Sequence, residues 1–118
     1  MLRRIFLSSV MVGGLAFAVF WWLTIPAVVS SDQLPAYTPD LANGLTTFNA
    51  AGCSSCHAVP GQPDRLRLGG GLAIPSPFGT FYAPNISPDP ADGIGRWSEA
   101  EFVTAVTKGV SPAGLHYF

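Results

Sequence analysis

Cys53-Ser54-Ser55-Cys56-His57 gathers both cysteines of a 118-residue chain into five positions. Two thiols three residues apart, followed at once by an imidazole, match the spacing used for covalent attachment of a haem. In that chemistry each thiol adds to one vinyl group of the porphyrin, which leaves two thioether links. The histidine beside the second thiol is then brought beneath the iron, where an imidazole nitrogen coordinates it. Cys53 and Cys56 are therefore candidate attachment residues, and His57 is a candidate proximal iron ligand.

Two other chemistries use the same residue types. A Cys53–Cys56 disulfide, structural or redox-active, usually comes with a βαβ pattern nearby, and none is legible here. A zinc site needs four protein ligands if structural, or three and a water if catalytic. The thiols and imidazoles total four: Cys53, Cys56, His57 and His116. Adjacent Cys56 and His57 make an awkward chelating pair, and no second Cys-x-x-Cys or spaced histidine pair follows.

The elements that must carry this string begin with an export segment. Met1-Leu2-Arg3-Arg4 is a short basic start, and Ile5 to Val29 contains no charged residue. About 20 apolar residues span a hydrocarbon core of about 30 Å as a helix, so Ile5 to Ile25 is long enough. Trp21 and Trp22 lie near its far end, where amphipathic rings favour the interface, and Pro26 closes the helix. Arginines on the cytoplasmic side send the rest of the chain outward. The run exceeds a usual signal-peptide core and lacks a clean Ala-x-Ala exit. Residues 1–29 are thus expected to be a retained single-pass anchor, with the cysteines outside the cytoplasm.

Residues 30–38 read as a linker. Thr38-Pro39-Asp40 then reads as a helix start, with Thr38 capping, Pro39 first in the helix and an acid in the first turn. Leu41, Leu45 and Phe48 form one apolar stripe, Gly44 weakens the helix or admits a close neighbour, and Gly52 ends it just before Cys53. A second helix is marked by Ser98 and Glu101 in a capping box. Phe102, Val103, Val106 and Val110 follow, with Lys108 in the last turn and Gly109 as the stop. Phe102 is expected in the core.

Between these helices, residues 58–96 hold seven prolines and little regular pattern. A loop of this length inside a compact domain is usually functional or disordered. Leu66, Leu68, Leu72, Ile74, Phe78, Phe81, Tyr82, Ile86 and Ile94 are too apolar for a solvated tail. Such a loop must bury itself against something, and a haem offers a large flat apolar partner. About 80 exported residues also form only a marginal core without a staple. Arg65, Arg67 and Trp97 are candidates to pair with haem propionates. Gly69-Gly70-Gly71 lacks the Gly-Lys-Ser/Thr ending of a phosphate loop and reads as close-fitting backbone or a turn. From Ser30 onward the chain carries four basic against seven acidic side chains, a net −3. That balance argues against nucleic acid as a partner.

The stretch Asp40-Leu41-Ala42-Asn43-Gly44 through Ala51-Gly52-Cys53-Ser54-Ser55-Cys56-His57 resembles the start of a class I-type cytochrome c domain. The run Pro77-Phe78-Gly79-Thr80-Phe81-Tyr82-Ala83-Pro84-Asn85-Ile86-Ser87-Pro88-Asp89, then Gly93-Ile94-Gly95-Arg96-Trp97-Ser98, narrows the likeness. It resembles the cytochrome c subunits of membrane-bound bacterial alcohol and aldehyde dehydrogenases. The resemblance implies a mainly α, cytochrome c-like helical domain over residues 39–118, with long irregular haem-wrapping loops, behind one transmembrane helix.

It further implies one covalent haem c on Cys53 and Cys56, with His57 proximal. Its family usually supplies a distal methionine and a last helix packed on the first. Here Met1 and Met11 lie in the anchor, so the expectation is a truncated sequence whose final segment is missing. The alternative is a short variant with His116, a water or nothing on the distal side. The expected role is a membrane-anchored, periplasm-facing monohaem electron carrier between a dehydrogenase subunit and a respiratory acceptor. It would sit in the bacterial cytoplasmic membrane, transform no organic substrate itself and not be an enzyme. Two rivals stand beside it: a haem sensor or peroxidase-like module with an open sixth position, and a periplasmic thiol oxidoreductase without haem.

Overall fold

The computed structural model describes residues 1–117. It is mainly helical and divides into two units: Met1–Ser31 with the stretch from Glu99 onward, and Asp32–Ser98.

The first unit opens with helix α1, Leu2–Leu23. Its 22 residues are all exposed, and at 1.5 Å per residue it is about 33 Å long, long and apolar enough to cross a membrane. The helix stops at Leu23, short of the expected Ile25. The residue before a proline is disfavoured in the α region, which affects Ile25 ahead of Pro26. Thr24 closes the end earlier: its N–H and its hydroxyl both donate to the Phe20 carbonyl, at 3.0 and 2.9 Å.

Helix α4, Glu99–Lys108, follows Ser98 as the capping pattern predicts. Glu99 and Glu101 lie in its first turn and Lys108 in its last, each matching the helix dipole. Its buried face is Ala100 and Thr104, four residues apart. Phe102, expected in the core, is 48% exposed. At 3.6 residues per turn it lies far around the helix from the Ala100–Thr104 face. Gly109 (φ 63°) ends the helix, and Val110, wholly buried, pairs antiparallel with His116.

After a single 3-10 turn at Ser31–Gln33, the first α-helix of the second unit is α2, Leu41–Ala50. Asp40 caps it, not Thr38. Asp40 has extended backbone, and its Oδ1 accepts from the N–H groups of Ala42 and Asn43, both at 3.0 Å. A carboxylate satisfies two orphan donors at once, so the helix starts after the acid rather than at Pro39. Leu41, Leu45 and Phe48 line an open, mostly apolar hollow of about 490 Å³ together with Leu66 and Leu68.

A short helix α3, Cys53–His57, follows directly. The region read as patternless contains a hairpin, β1 (Ala73–Ser76) paired antiparallel with β2 (Gly79–Tyr82). Pro75 and Pro77 hid it. Pro75 lies opposite Thr80 in a two-stranded ribbon, where a missing N–H is tolerated because both strands are edges. The turn is held by Ser76, whose hydroxyl donates to the Gly79 carbonyl (2.8 Å) and accepts from Phe78 N–H (3.1 Å).

Candidate functional site

The second unit brings the Cys-x-x-Cys-His string and the Pro/Gly-rich segment together. Gly52 is the hinge that separates α2 from α3. Its φ of 68° and ψ of 25° are left-handed, a conformation that costs other residues roughly 1–2 kcal/mol. The chain therefore breaks out of α2 and restarts at Cys53 in a new direction. Within α3, Cys53 and Cys56 are one helical step of three apart and so share a face. Both are free thiols, Cys53 half-buried and Cys56 exposed.

His57 is half-buried, and its Nδ1 donates to the Pro84 carbonyl at 2.8 Å. A carbonyl can only accept, so the proton belongs on Nδ1 and the lone pair stays on Nε2. This is the tautomer a metal ligand needs, and a carbonyl partner on the other ring nitrogen raises ligand basicity.

The backbone fixes that carbonyl in place. Gly70 N–H donates to the His57 carbonyl (2.9 Å), Gly71 N–H to Ala83 (2.8 Å), Ala83 N–H to Leu72 (3.0 Å) and Ile86 N–H to Leu68 (2.9 Å). These bonds continue the β1–β2 pairing down to the residues beside Pro84. Gly70 is buried, with φ 70°. A Cβ there would clash with the Ala83 carbonyl and come within 2.6 Å of the Pro84 carbonyl oxygen. Gly69-Gly70-Gly71 is thus close-fitting backbone, and only a bare Cα fits at its centre.

Downstream, Asp89 holds the other side of the loop. Its Oδ1 accepts from Ala91 N–H (2.7 Å) and Asp92 N–H (2.8 Å). Both donors favour the charged form, Asp92 most, and they hold the carboxyl below its ordinary pKa.

Sequence reasoning anticipated Cys53, Cys56 and His57 as neighbours. It did not anticipate Pro84 as the group that orients His57, because a carbonyl acceptor leaves no mark on residue type. Arg65 was read as a propionate partner; its Nη2 donates to the Ser54 carbonyl inside the string at 3.0 Å. Arg67 offers its carbonyl to Val59 N–H at 3.2 Å. Trp97 is half-buried. His116 lies in the first unit, where its Nε2 is 3.0 Å from the Thr24 carbonyl. Among the described residues no three His, Cys, Asp or Glu side chains converge as a metal cluster, so the four-ligand zinc arrangement is not assembled.

The residues fit a covalently held haem. Two unpaired sulfurs share a face, one imidazole nitrogen is free and correctly tautomeric, and apolar surface is left over. Ala83 is the one apolar side chain buried in this unit among the described residues, while Leu41, Leu66, Phe78 and Tyr82 are 60% or more exposed.

No family model matches the chain. Individual proteins do. The chain is 39% identical over 119 residues to a diheme cytochrome c-type protein of Cereibacter sphaeroides, which covers 99% of the chain and 40% of that protein. It is 44% identical over 85 residues to the cytochrome c subunit of a quinone-dependent alcohol dehydrogenase of Gluconacetobacter polyoxogenes, covering 67% of the chain and 17% of that subunit. It is 44% identical over 94 residues to the gluconate 2-dehydrogenase cytochrome c subunit of Pantoea cypripedii, covering 74% of the chain and 20% of that subunit. The chain thus spans less than half the length of each of these relatives.

Proposed function

We propose that this chain, which is related to the c-type cytochromes of dehydrogenase complexes, carries single electrons on one covalent haem c. Cys53 and Cys56 hold the group and His57 is the proximal iron ligand. Residues 1–29 anchor the chain in the bacterial cytoplasmic membrane, and the segment from residue 39 onward forms the haem domain on the periplasmic side. Electrons arrive from a dehydrogenase subunit and leave to a respiratory acceptor, and the chain transforms no organic substrate itself. One haem is proposed for these 118 residues because both cysteines fall in a single string.

The observation that carries the reading is the 2.8 Å bond from His57 Nδ1 to the Pro84 carbonyl. It leaves Nε2 as a free donor on the residue next to two unbonded thiols. A bound haem supplies an iron that alternates between ferric and ferrous states. The chain's own residues do the rest. Cys53 and Cys56 fix the position of the group, and the Pro84 carbonyl fixes the tautomer and plane of His57. The Gly70-to-His57 and Gly71-to-Ala83 backbone bonds keep that carbonyl from drifting. Exposed Leu66, Phe78 and Tyr82 offer apolar surface for a flat partner.

The test is to produce the full chain with a haem-attachment system, then record its intact mass and pyridine haemochrome spectrum. One haem increment is expected, lost in a Cys53→Ser/Cys56→Ser double variant. A mass without the increment, with Cys53 and Cys56 cycling as a disulfide, would overturn the reading in favour of thiol chemistry. Avid carbon monoxide binding by the reduced intact protein would favour a sensor or peroxidase-like role instead.

A further inference from the structure

The peptide just beyond α1 is fastened, not loose. Val29 N–H donates to Thr104 Oγ1 on α4 at 2.9 Å, across 75 positions of sequence. Thr104 is only 4% exposed, so water competes poorly for this bond. A second tie lies closer to the helix end: His116 Nε2 donates to the Thr24 carbonyl at 3.0 Å, across 92 positions. Between the two ties, Val28 and Val29 border a small cavity of about 110 Å³ with Ala100 and Pro112. The turn that carries His116 is itself fixed. Ser111 N–H donates to Leu115 (2.8 Å), Tyr117 N–H donates to Gly109 (2.8 Å), and Val110 beneath it is fully buried.

We propose that these ties mount the turn at residues 111–117 in the head-group layer of the membrane, with Leu115 and Tyr117 against lipid. The proposal rests on the reading of α1 as a membrane span. A helix of about 33 Å matches a hydrocarbon core of about 30 Å, so Thr24 lies at one of its boundaries. The polar layer beyond that boundary is roughly 5–7 Å thick. His116 touches Thr24, and neighbouring Cα atoms are about 3.8 Å apart. Leu115 and Tyr117 therefore lie no more than roughly 12 Å from the boundary, a reach that includes the polar layer.

The turn is chemically suited to that depth. Ser111 to Tyr117 contains no Asp, Glu, Lys or Arg. Leu115 is 68% exposed and Tyr117 46%, and tyrosine favours the interface as do Trp21 and Trp22 in the last turn of α1. In this arrangement His116 Nε2 carries the proton it donates to the Thr24 carbonyl, so that nitrogen offers no lone pair to a metal.

The test uses the haem-loaded full chain in lipid nanodiscs, with a nitroxide on Leu115→Cys. The native thiols are occupied by thioether links. The ratio of oxygen to nickel-chelate accessibility at the label is expected to be several-fold above that of the free label in water. Adding Thr104→Val is expected to return it towards the aqueous value. His116→Ala, at an exposed position, gives the same readout if the threonine variant does not accumulate. An aqueous ratio in a chain that resists alkaline carbonate extraction would overturn the mounting while leaving the span intact. Release by carbonate would overturn both. A changed visible spectrum in His116→Ala would assign His116 to the iron and overturn the tie to Thr24.

Discussion

Gly70→Ala is the substitution that most directly tests how His57 is held. Two costs add. The residue has φ 70°, and a left-handed backbone costs a non-glycine residue about 1–2 kcal/mol. The new Cβ would also lie 2.6 Å from the Pro84 carbonyl oxygen, so that carbonyl must move by several tenths of an ångström. Its 2.8 Å bond from His57 Nδ1 is then weakened or lost, at about 1 kcal/mol. The expected destabilisation of the haem-loaded protein is about 2–3 kcal/mol, read as a lower denaturant midpoint at constant slope. Gly61→Ala is the control. It has φ 75° but nothing within 4 Å of its Cβ, so it incurs only the backbone cost. Loss of the carbonyl partner also weakens Nε2 as a donor, which favours ferrous over ferric iron, so the midpoint potential rises in Gly70→Ala and not in Gly61→Ala. Equal destabilisation of the two variants within about 0.5 kcal/mol, with unchanged potentials, would refute the role given to Pro84.

Asp40→Ala removes the acceptor for two N–H groups of α2. It is expected to cost about 1 kcal/mol, which for a small domain lowers the thermal midpoint by about 4–8 °C. Asp89 has a lowered folded pKa. Its contribution is therefore present at neutral pH, above the unfolded value, and is lost as pH falls below about 4 through the folded one. Denaturant midpoints of Asp89→Asn followed into acid should fall less steeply than those of the wild type. Chain produced without a haem-attachment system should lack a cooperative unfolding transition, because so little of residues 32–98 is buried without the cofactor; near-ultraviolet circular dichroism against temperature checks this.

Much of the candidate site was legible because the chemistry proposed for it resides in residue identity. Cys53, Cys56 and His57 are adjacent in sequence, so a local helix brings them together without help from the fold. The starts and stops were partly legible for the same reason. Gly52 and Gly109 end helices through their own backbone freedom, and the capping pattern from Ser98 to Glu101 placed α4. Asp40 overruled Thr38 because the competition between two neighbouring caps depends on which side chain reaches free N–H groups. Phe102 was misplaced because an apolar residue type does not say which face of a helix will be covered. The hairpin at residues 73–82 was hidden because prolines that normally break strands are harmless where both strands are edges.

By itself, the sequence determined which side chains are available for covalent attachment, the apolar rod at the amino end and the excess of apolar side chains with nothing of their own to cover them. These follow from composition and from spacings of a few residues. Only the tertiary structure decided which nitrogen of His57 is free, because that choice belongs to the Pro84 carbonyl 27 residues away. It likewise decided that Gly70 must lack a side chain, and that Thr104 and His116 meet the peptide leaving α1. A backbone carbonyl is the same in every residue type, so its partners are set by where the chain returns.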